Sequence, residues 1–249
     1  MKVALIDLSH ATRGVHTNTI PLASGLIARY LAHAVGAEAE IRVFKTPAKC
    51  LAELSRWTPD VAGIAQYAWN SELNLHAAER IRARNPGCLI VAGGPNLPLS
   101  PEGKAEWLAR RRLVDLCVSY DGEQPFASIV KRLMEGATAE ELRSFPVPGT
   151  YALDPARGTL VESPEPPPRL DSLDVFGTLY ADGFFDSLLD EGYHPFVQTQ
   201  RGCPFRCAYC HASDPYYSRL IFQSAELFDR EIEYLGRRYA GRHEITLYM

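Results

Sequence analysis

The first 133 residues of the chain alternate short apolar runs, rich in β-branched residues, with amphipathic segments of helical length. This alternation is typical of a parallel sheet whose strands are joined by helices on both faces. We therefore predict an α/β fold with a doubly wound, five-stranded parallel sheet of the Rossmann or flavodoxin-like type. The five predicted strands cover residues 2–8, 39–45, 60–66, 88–92 and 114–119.

Local signals mark two helix starts within this region. Ser100 precedes Pro101 and Glu102, which provides a cap residue, a proline at the first helical position and an early carboxylate. Asp121, followed by Gly122 and Glu123, marks the second predicted helix start.

Ligands of doubly wound sheets bind outside the carboxyl ends of the strands, so the loops after the strands are the candidate ligand sites. Gly93 and Gly94 follow the fourth strand, where they form either an ordinary turn or a close approach of the backbone to a ligand. Other polar residues in these loops are also candidates: each either faces a ligand or acts as an ordinary turn or cap residue. The loops cover residues 9–18, 66–72, 93–98 and 120–126, and the polar candidates are Asn18, Asn70, Glu72, Asn96 and Glu123.

The rest of the chain reads as a hairpin, a linker and the start of a second unit. Two short β-type runs flank a turn at residues 154–158, and the proline-rich segment 164–170 is typical of a semi-rigid spacer. Beyond it we predict a helix over 180–193, a strand over 195–200, a helix from Ser224 to about residue 238 and a last strand over 244–249. The predicted domains are a first domain at 1–148, a hairpin and linker region at 149–193, and a second domain at 194–249.

Composition argues against two classes of partner. The 249 residues carry a formal net charge of −4, and the basic runs fall at predicted helix ends, so nucleic-acid binding is not expected. No segment approaches the roughly 18 apolar residues of a membrane span, and the N-terminal apolar run is too short for a signal peptide. We expect a cytoplasmic protein, in which clustered cysteines bind metal or do redox chemistry more often than they form disulfides.

Cys203, Cys207 and Cys210 form a C-x3-C-x2-C pattern directly after a predicted strand. An irregular loop can direct three thiolates to one point, and three thiolates suit a 4Fe-4S cluster that leaves one iron open. The alternative is a zinc site completed by His211 or a distant residue, although structural zinc motifs usually use two separate pairs of closely spaced ligands. The other three cysteines, Cys50, Cys88 and Cys117, are predicted to be small buried hydrophobes.

The segment at residues 201–210, RGCPFRCAYC, resembles the cluster motif of the radical S-adenosylmethionine enzymes, including the aromatic residue before the third cysteine. The doubly wound first domain, the loops GIAQYAWN, VAGGPNLPL and YDGEQPF, and the linker are similar to the subgroup with an N-terminal cobalamin-binding domain. The resemblance covers essentially the whole chain, and the cluster motif is its most specific part.

The resemblance implies a set of cofactors and partners. Cys203, Cys207 and Cys210 would ligate three irons of a 4Fe-4S cluster, and the fourth iron would chelate S-adenosylmethionine, with Tyr209 beside the adenine. In this family an electron from the cluster cleaves S-adenosylmethionine, and the resulting radical abstracts hydrogen from the substrate. The partners implied are a small-molecule substrate and a protein that reduces the cluster.

Cobalamin binding is also implied by the resemblance. The D-x-H-x-x-G motif of cobalamin domains is matched imperfectly, because the spacings from Asp7 to His10 and from His10 to Gly14 are each one residue longer. His10 is therefore either a cobalt ligand or a loop histidine near a strand end. Gly93 and Gly94 fit a second feature of these domains, and Tyr67 or Trp69 either covers a corrin face or packs under a loop.

The length of the second domain departs from the family pattern. A complete (β/α)8 barrel takes about 250 residues, whereas residues 194–249 leave room for two strand–helix units at most. We expect the beginning of an incomplete radical S-adenosylmethionine barrel with an exposed sheet edge, and a fragment of a longer enzyme. The leading hypothesis is a cobalamin-dependent radical methyltransferase. The alternatives are a radical enzyme without cobalamin and a noncatalytic binding protein with structural zinc.

Overall fold

The computed structural model describes residues 1–10, 18–241 and 246–249. The strands are β1 Lys2–Ile6, β2 Glu40–Phe44, β3 Val61–Ala65, β4 Leu89–Gly93, β5 Leu116–Val118, β6 Thr150–Leu153, β7 Leu160–Glu162, β8 Gln200–Arg201 and β9 Ile221–Phe222. The helices are α1 Leu22–Val35, α2 Pro47–Leu54, α3 Ser71–Arg84, α4 Pro101–Arg110, α5 Glu123–Met134, α6 Ala139–Ser144, α7 Asp186–Asp190 and α8 Ala225–Arg238.

The main sheet has seven strands in the order β2-β1-β3-β4-β5-β6-β7. The first five are parallel to one another, which confirms the predicted doubly wound sheet. Strands β6 and β7 are the predicted hairpin, which extends the sheet because β6 pairs antiparallel with β5.

Alternate side chains of the parallel strands enter two separate cores. In β1, Ala4 and Ile6 join the core under α2, α3 and α4, whereas Val3 and Leu5 join the core under α1, α5 and α6. All four side chains are at most 2% exposed. The sheet is therefore covered on both faces, as the continuous apolar character of its strands predicts.

Both predicted helix starts of the first domain are confirmed. The Ser100 hydroxyl accepts a hydrogen bond from the Gly103 N–H at 3.1 Å at the start of α4. The helix predicted to start after Asp121 is confirmed as α5, which begins at Glu123, although no side chain caps it. Asp121 instead pairs with Arg169 and Arg201, two partners distant in sequence.

A third core joins α1 to the segment beyond the proline-rich spacer. Leu22 and Leu26 of α1 pack with Phe176, Phe185 and other buried residues of this segment. The predicted helix over 180–193 is too long, since only the five residues of α7 are helical. Gly183 (φ 74°) and Gly192 (φ 88°) bracket α7 in left-handed conformations that interrupt the helix.

The predicted strand over 195–200 is mostly irregular. The Tyr180 hydroxyl accepts from the Phe196 N–H at 2.9 Å and donates to its carbonyl at 2.8 Å, so a buried side chain takes both backbone groups that a strand would use. Regular pairing begins only at β8, which runs antiparallel to β9. Phe196 forms a single parallel bridge with Tyr248 of the last predicted strand, whose residues 244 and 245 lie outside the described residues.

The helix predicted to start at Ser224 is confirmed as α8. The Ser224 hydroxyl accepts from the Leu227 N–H at 3.4 Å. Among the helices in the described ranges, none has the length and apolar character needed to cross a bilayer.

Candidate cofactor site

A cavity of about 360 Å³ opens at the carboxyl ends of β3, β4 and β5. Its walls include residues of three of the loops predicted to bind a ligand, namely 66–72, 93–98 and 120–126. Of the fourth loop, residues 11–17 lie outside the described residues. The volume falls within the usual range of small-molecule sites.

Buried polar contacts hold the loop after β3 against the end of β1. The Asn70 amide donates to the Asp7 carboxylate at 2.7 Å, and the Asn74 carbonyl oxygen accepts from the Leu8 N–H at 3.0 Å. The Ser71 hydroxyl donates to Gln66 at 2.6 Å. Because these buried side chains are hydrogen-bonded inside the protein, they order the loop beside the cavity.

Asp7 and Lys45 are a buried acid and base at the carboxyl ends of β1 and β2. Burial raises the pKa of Asp7, and the Lys45 charge and the Asn70 hydrogen bond partly oppose that rise. Burial lowers the pKa of Lys45, with the Asp7 charge acting in the opposite direction. Each charge thus offsets the desolvation of the other.

The two glycines after β4 have different roles. Gly94 has φ 128°, and a Cβ there would lie 2.7 Å from the Gln66 carbonyl oxygen and 3.0 Å from the Gln66 nitrogen. At Gly93 a Cβ would meet only the Val118 side chain, at an ordinary 3.7 Å. Gly94 therefore allows the loop after β4 to approach the loop after β3 closely. Gly93 leaves open space at the cavity wall.

We expect Gly94→Ala to lower the free energy of unfolding by about 3 kcal/mol, because the side chain adds both backbone strain and overlap with Gln66. Gly93→Ala is the matched control and is expected to change it by less than about 1 kcal/mol. Urea denaturation of both variants tests the difference. Equal losses would show that the loop approach at Gly94 carries no special constraint.

The predicted aromatic residues and His10 occupy different positions relative to the cavity. Tyr67 lines it, and burial and the nearby Asp7 charge raise the pKa of Tyr67 to about 12. Trp69 stacks on Tyr67 with ring centroids 4.7 Å apart and is 49% exposed. His10 is half-buried and is not among the residues that line the cavity.

The opposite wall of the cavity comes from the second predicted domain. Arg201, His211, Asp214 and Tyr217 all line it. Sequence reasoning missed this wall, because these residues lie at least 75 positions from the loops that they face. The available signal was closeness to the cysteine pattern, since Arg201 lies two residues before Cys203 and His211 directly follows Cys210.

Four charged side chains join the two walls, and we call them the acid–base cluster: Asp121, Glu123, Arg169 and Arg201. Arg201 lies 2.9 Å from Glu123 and 3.6 Å from Asp121, and Arg169 lies 3.3 Å from Asp121. All four side chains are at most 14% exposed. Burial raises the pKa of Asp121, and the Arg201 charge opposes that rise. Burial disfavours the Arg201 cation, but the Glu123 and Asp121 carboxylates outweigh burial and raise its pKa.

Aromatic rings pack beside this cluster. Tyr120 lines the cavity with φ 64°, and it is the one non-glycine residue with positive φ in the described part of the chain. Its ring lies 4.5 Å from that of Tyr216. The Arg169 guanidinium lies over Tyr216 and Tyr217, at 5.0 and 5.7 Å. The Tyr216 ring thus packs against a residue in a strained backbone conformation, and such strain is common at binding sites.

The cysteine loop, residues 202–211, begins next to the cavity. The Cys203 N–H donates to the Tyr217 carbonyl at 2.8 Å. The Cys210 N–H donates to the Cys207 carbonyl at 3.0 Å, and this backbone turn brings the second and third cysteines close to each other. All three thiols are free; Cys203 and Cys207 are half-buried and Cys210 is exposed. Tyr209 is 93% exposed.

A metal-binding geometry is not preassembled in the described residues, where no three His, Cys, Asp or Glu side chains are grouped to hold an ion. The donor set nevertheless fits an iron–sulfur cluster, because three reduced, accessible thiols share one irregular loop. The other three cysteines are buried, as predicted, and burial raises the pKa of each to about 12. They are therefore unreactive.

Known proteins resemble this chain over most of its length, although no protein-family model matches it. The 2-(S-pantetheinyl)-carbapenam-3-carboxylate methyltransferase of Streptantibioticus cattleyicolor is 28% identical over 228 residues, or 87% of this chain. The cobalamin-dependent radical SAM methyltransferase TokK of Streptomyces tokunonensis is 25% identical over 231 residues, or 88% of this chain. In sequence the chain is therefore similar to a cobalamin-dependent radical S-adenosylmethionine methyltransferase. The family resemblance seen in the sequence is thereby confirmed.

The fold of these radical enzymes is also shared. The solved structure of OxsB, a cobalamin-dependent S-adenosylmethionine radical enzyme with aqua-cobalamin and S-adenosylmethionine bound, matches 99% of this chain with a TM-score of 0.74 at 16% identity. The chain spans about a third of the length of these relatives: 32% of each methyltransferase and 33% of OxsB.

Proposed function

We propose that this chain carries the corrinoid-binding and cluster-binding parts of a cobalamin-dependent radical S-adenosylmethionine methyltransferase that acts on a small molecule. The observation that carries the proposal is the shared cavity. Loops at the carboxyl edge of the sheet form one wall, and residues flanking the three cysteines form the other. Two cofactors bound at these places would face each other across one space.

The residues present are chemically suited to these cofactors. Cys203, Cys207 and Cys210 would hold three irons, and Tyr209 remains the predicted contact of the adenine. The cavity is smaller than a whole cobalamin, so it would take one part of the molecule. Its largely apolar lining, with Tyr67 and Gly93 at the wall, suits such a group.

The cofactors supply the radical and methyl-transfer chemistry, and the chain supplies binding, orientation and exclusion of water. Gly202 and Cys203 fix the start of the cysteine loop against residues 217–219. The acid–base cluster holds that loop against the first domain. A separate protein is expected to deliver the electron that reduces the cluster.

Anaerobic reconstitution with iron and sulfide tests the cluster assignment. We expect about four irons per chain and a paramagnetic signal from the reduced cluster. Cys207→Ala should abolish both, whereas Cys50→Ala, which removes a buried cysteine outside the loop, should retain them. Zinc without iron would instead identify a structural metal site in a noncatalytic binding protein.

Equilibrium dialysis with hydroxocobalamin tests the corrinoid assignment separately. Binding of one corrinoid per chain is expected, with weaker binding in a variant that fills the cavity wall, Gly93→Leu. An iron-loaded chain that binds no corrinoid would indicate a radical enzyme that does not use cobalamin.

A further inference from the structure

The segment after the proline-rich stretch runs beside the segment that follows the cysteine loop. Three hydrogen bonds join residues 169–174 to residues 219–224, and the two partners of each bond are 50 positions apart in the chain. The donors and acceptors are the Arg169 guanidinium and the Arg219 carbonyl at 3.0 Å, the Ser172 hydroxyl and the Phe222 carbonyl at 3.1 Å, and the Ser224 N–H and the Asp174 carboxylate at 2.8 Å. The constant separation shows that the two segments run in the same direction and in register. We call residues 169–174 the brace.

Arg219 binds the brace from the opposite side. Its guanidinium donates to the Leu170 carbonyl at 2.8 Å and to the Arg169 carbonyl at 3.2 Å, and it pairs with the Asp171 carboxylate at 3.0 Å. The Arg169 guanidinium, which donates to the Arg219 carbonyl, also lies 3.3 Å from Asp121 of the first domain. Each arginine thus binds the backbone of the other segment, because a planar guanidinium presents several donors to several acceptors at once. The brace is therefore held between the first domain and residue 219.

The backbone next to the brace also shapes the start of the cysteine loop. The Cys203 N–H donates to the Tyr217 carbonyl at 2.8 Å. A Cβ at Gly202 would overlap the Arg219 carbonyl oxygen, so the start of the loop contacts this backbone directly, with no side chain between them. A displacement of residues 217–219 would therefore displace the first cysteine as well.

We propose that the brace positions the iron–sulfur cluster beside the cavity, and that Arg219 is the positioning residue that joins the brace to the cysteine loop. This inference rests on the proposed cluster function. Arg219 is not among the described residues that line the cavity, so it acts through the backbone of residues 217–219. Without the Arg219 side chain the three cysteines remain, but the start of the loop opens more often and exposes the cluster.

Release of iron from the reconstituted chain to a chelator tests the role of Arg219. A chelator removes iron when the loop opens, so Arg219→Ala should release iron about 10-fold faster than the wild type, because two hydrogen bonds to carbonyls of the brace are lost. Arg219→Lys should release iron nearly as fast, since an ammonium group lacks the planar array of donors. In both variants the paramagnetic signal of the reduced cluster should broaden, because the loop takes up several positions.

Two control variants separate these hydrogen bonds from charge and from general stability. Asp171→Asn removes the ion pair of Arg219 with a carboxylate that is 97% exposed, and should change the release rate less than about 2-fold. Arg82 matches Arg219 at the opposite edge of the sheet, because it donates to the Pro86 and Leu113 carbonyls and pairs with a carboxylate. Arg82→Lys should therefore release iron at the wild-type rate. A wild-type rate in either Arg219 variant, or equally fast release from Arg82→Lys, would overturn the inference.

Hydrogen exchange of the iron-free chain tests the brace separately from the cluster. In Arg219→Ala and Arg219→Lys, exchange at residues 202–206 should be faster than in the wild type, because the Cys203 N–H loses a fixed acceptor, whereas exchange in β3 and β4 should not change. Unchanged exchange at residues 202–206 would overturn the inference. Faster exchange in the variants of a chain whose wild type takes up no iron would instead refute the cluster function, and would reduce the brace to a structural contact.

Discussion

Gly202→Ala is expected to reduce iron uptake to the level of the Cys207→Ala variant while the first-domain sheet stays folded. Gly202 has φ 108°, and a Cβ there would lie 2.4 Å from the Arg219 carbonyl oxygen and 2.9 Å from that of Tyr217. Neither backbone group can rotate away as a side chain would, and Tyr217 also accepts the Cys203 N–H. The alanine therefore separates the start of the cysteine loop from residues 217–219.

Gly192→Ala is the matched control for backbone strain. Its φ of 88° is similarly unfavourable for alanine, yet a Cβ there has no atom within 4 Å. We expect a loss of about 1 kcal/mol in the free energy of unfolding and normal iron content. Iron analysis after reconstitution, with circular dichroism to verify the fold, compares the two variants. Normal iron in Gly202→Ala would show that the close backbone contact does not shape the loop.

Glu231→Ala is expected to lower the free energy of unfolding by about 4 kcal/mol, because one buried carboxylate serves three backbone donors. It accepts the N–H groups of Leu179, Tyr180 and Ala181, the last two at 3.0 Å each. Burial raises the pKa of Glu231, and these three hydrogen bonds oppose the rise. Alanine removes all three acceptors and leaves the donors buried next to the third core.

The neighbouring Glu233 provides the control on the same helix. It lies on the exposed side of α8 and, within the described part of the chain, forms an ion pair with Arg237, so Glu233→Ala should cost less than about 0.5 kcal/mol. Chemical denaturation measures both changes, and hydrogen exchange at residues 179–181 localises the first. Similar stabilities of the two variants would mean that water replaces the Glu231 carboxylate without loss.

Much of the first domain could be predicted from the sequence, because its signals are local. The five parallel strands follow from short apolar runs separated by helical segments, and period-2 alternation divides Ala4 and Ile6 from Val3 and Leu5. The start of α4 follows from Ser100 and its neighbours, whose capping contact spans three residues. The three-cysteine pattern was visible for the same reason, since its spacing is a property of one short segment.

Other features were decided by contacts between residues far apart in the chain. Asp121 lies where a helix cap is common in sequences, but its carboxylate pairs with two arginines that are at least 48 residues away. The segment around Phe196 has the composition of a strand, but the Tyr180 hydroxyl occupies its backbone groups. Composition and periodicity carry no information about such pairings.

The sequence by itself thus determined the parallel sheet, the loops that follow its strands and the set of three clustered thiols, because each depends on neighbours within a few residues. Only the tertiary structure decided that Arg201 and Glu123 meet, and that the cysteine loop borders the cavity at the sheet edge. The physical reason is that burial selects partners by position in space. A charged group that is removed from water is stabilised only where the packing of the cores places an opposite charge beside it.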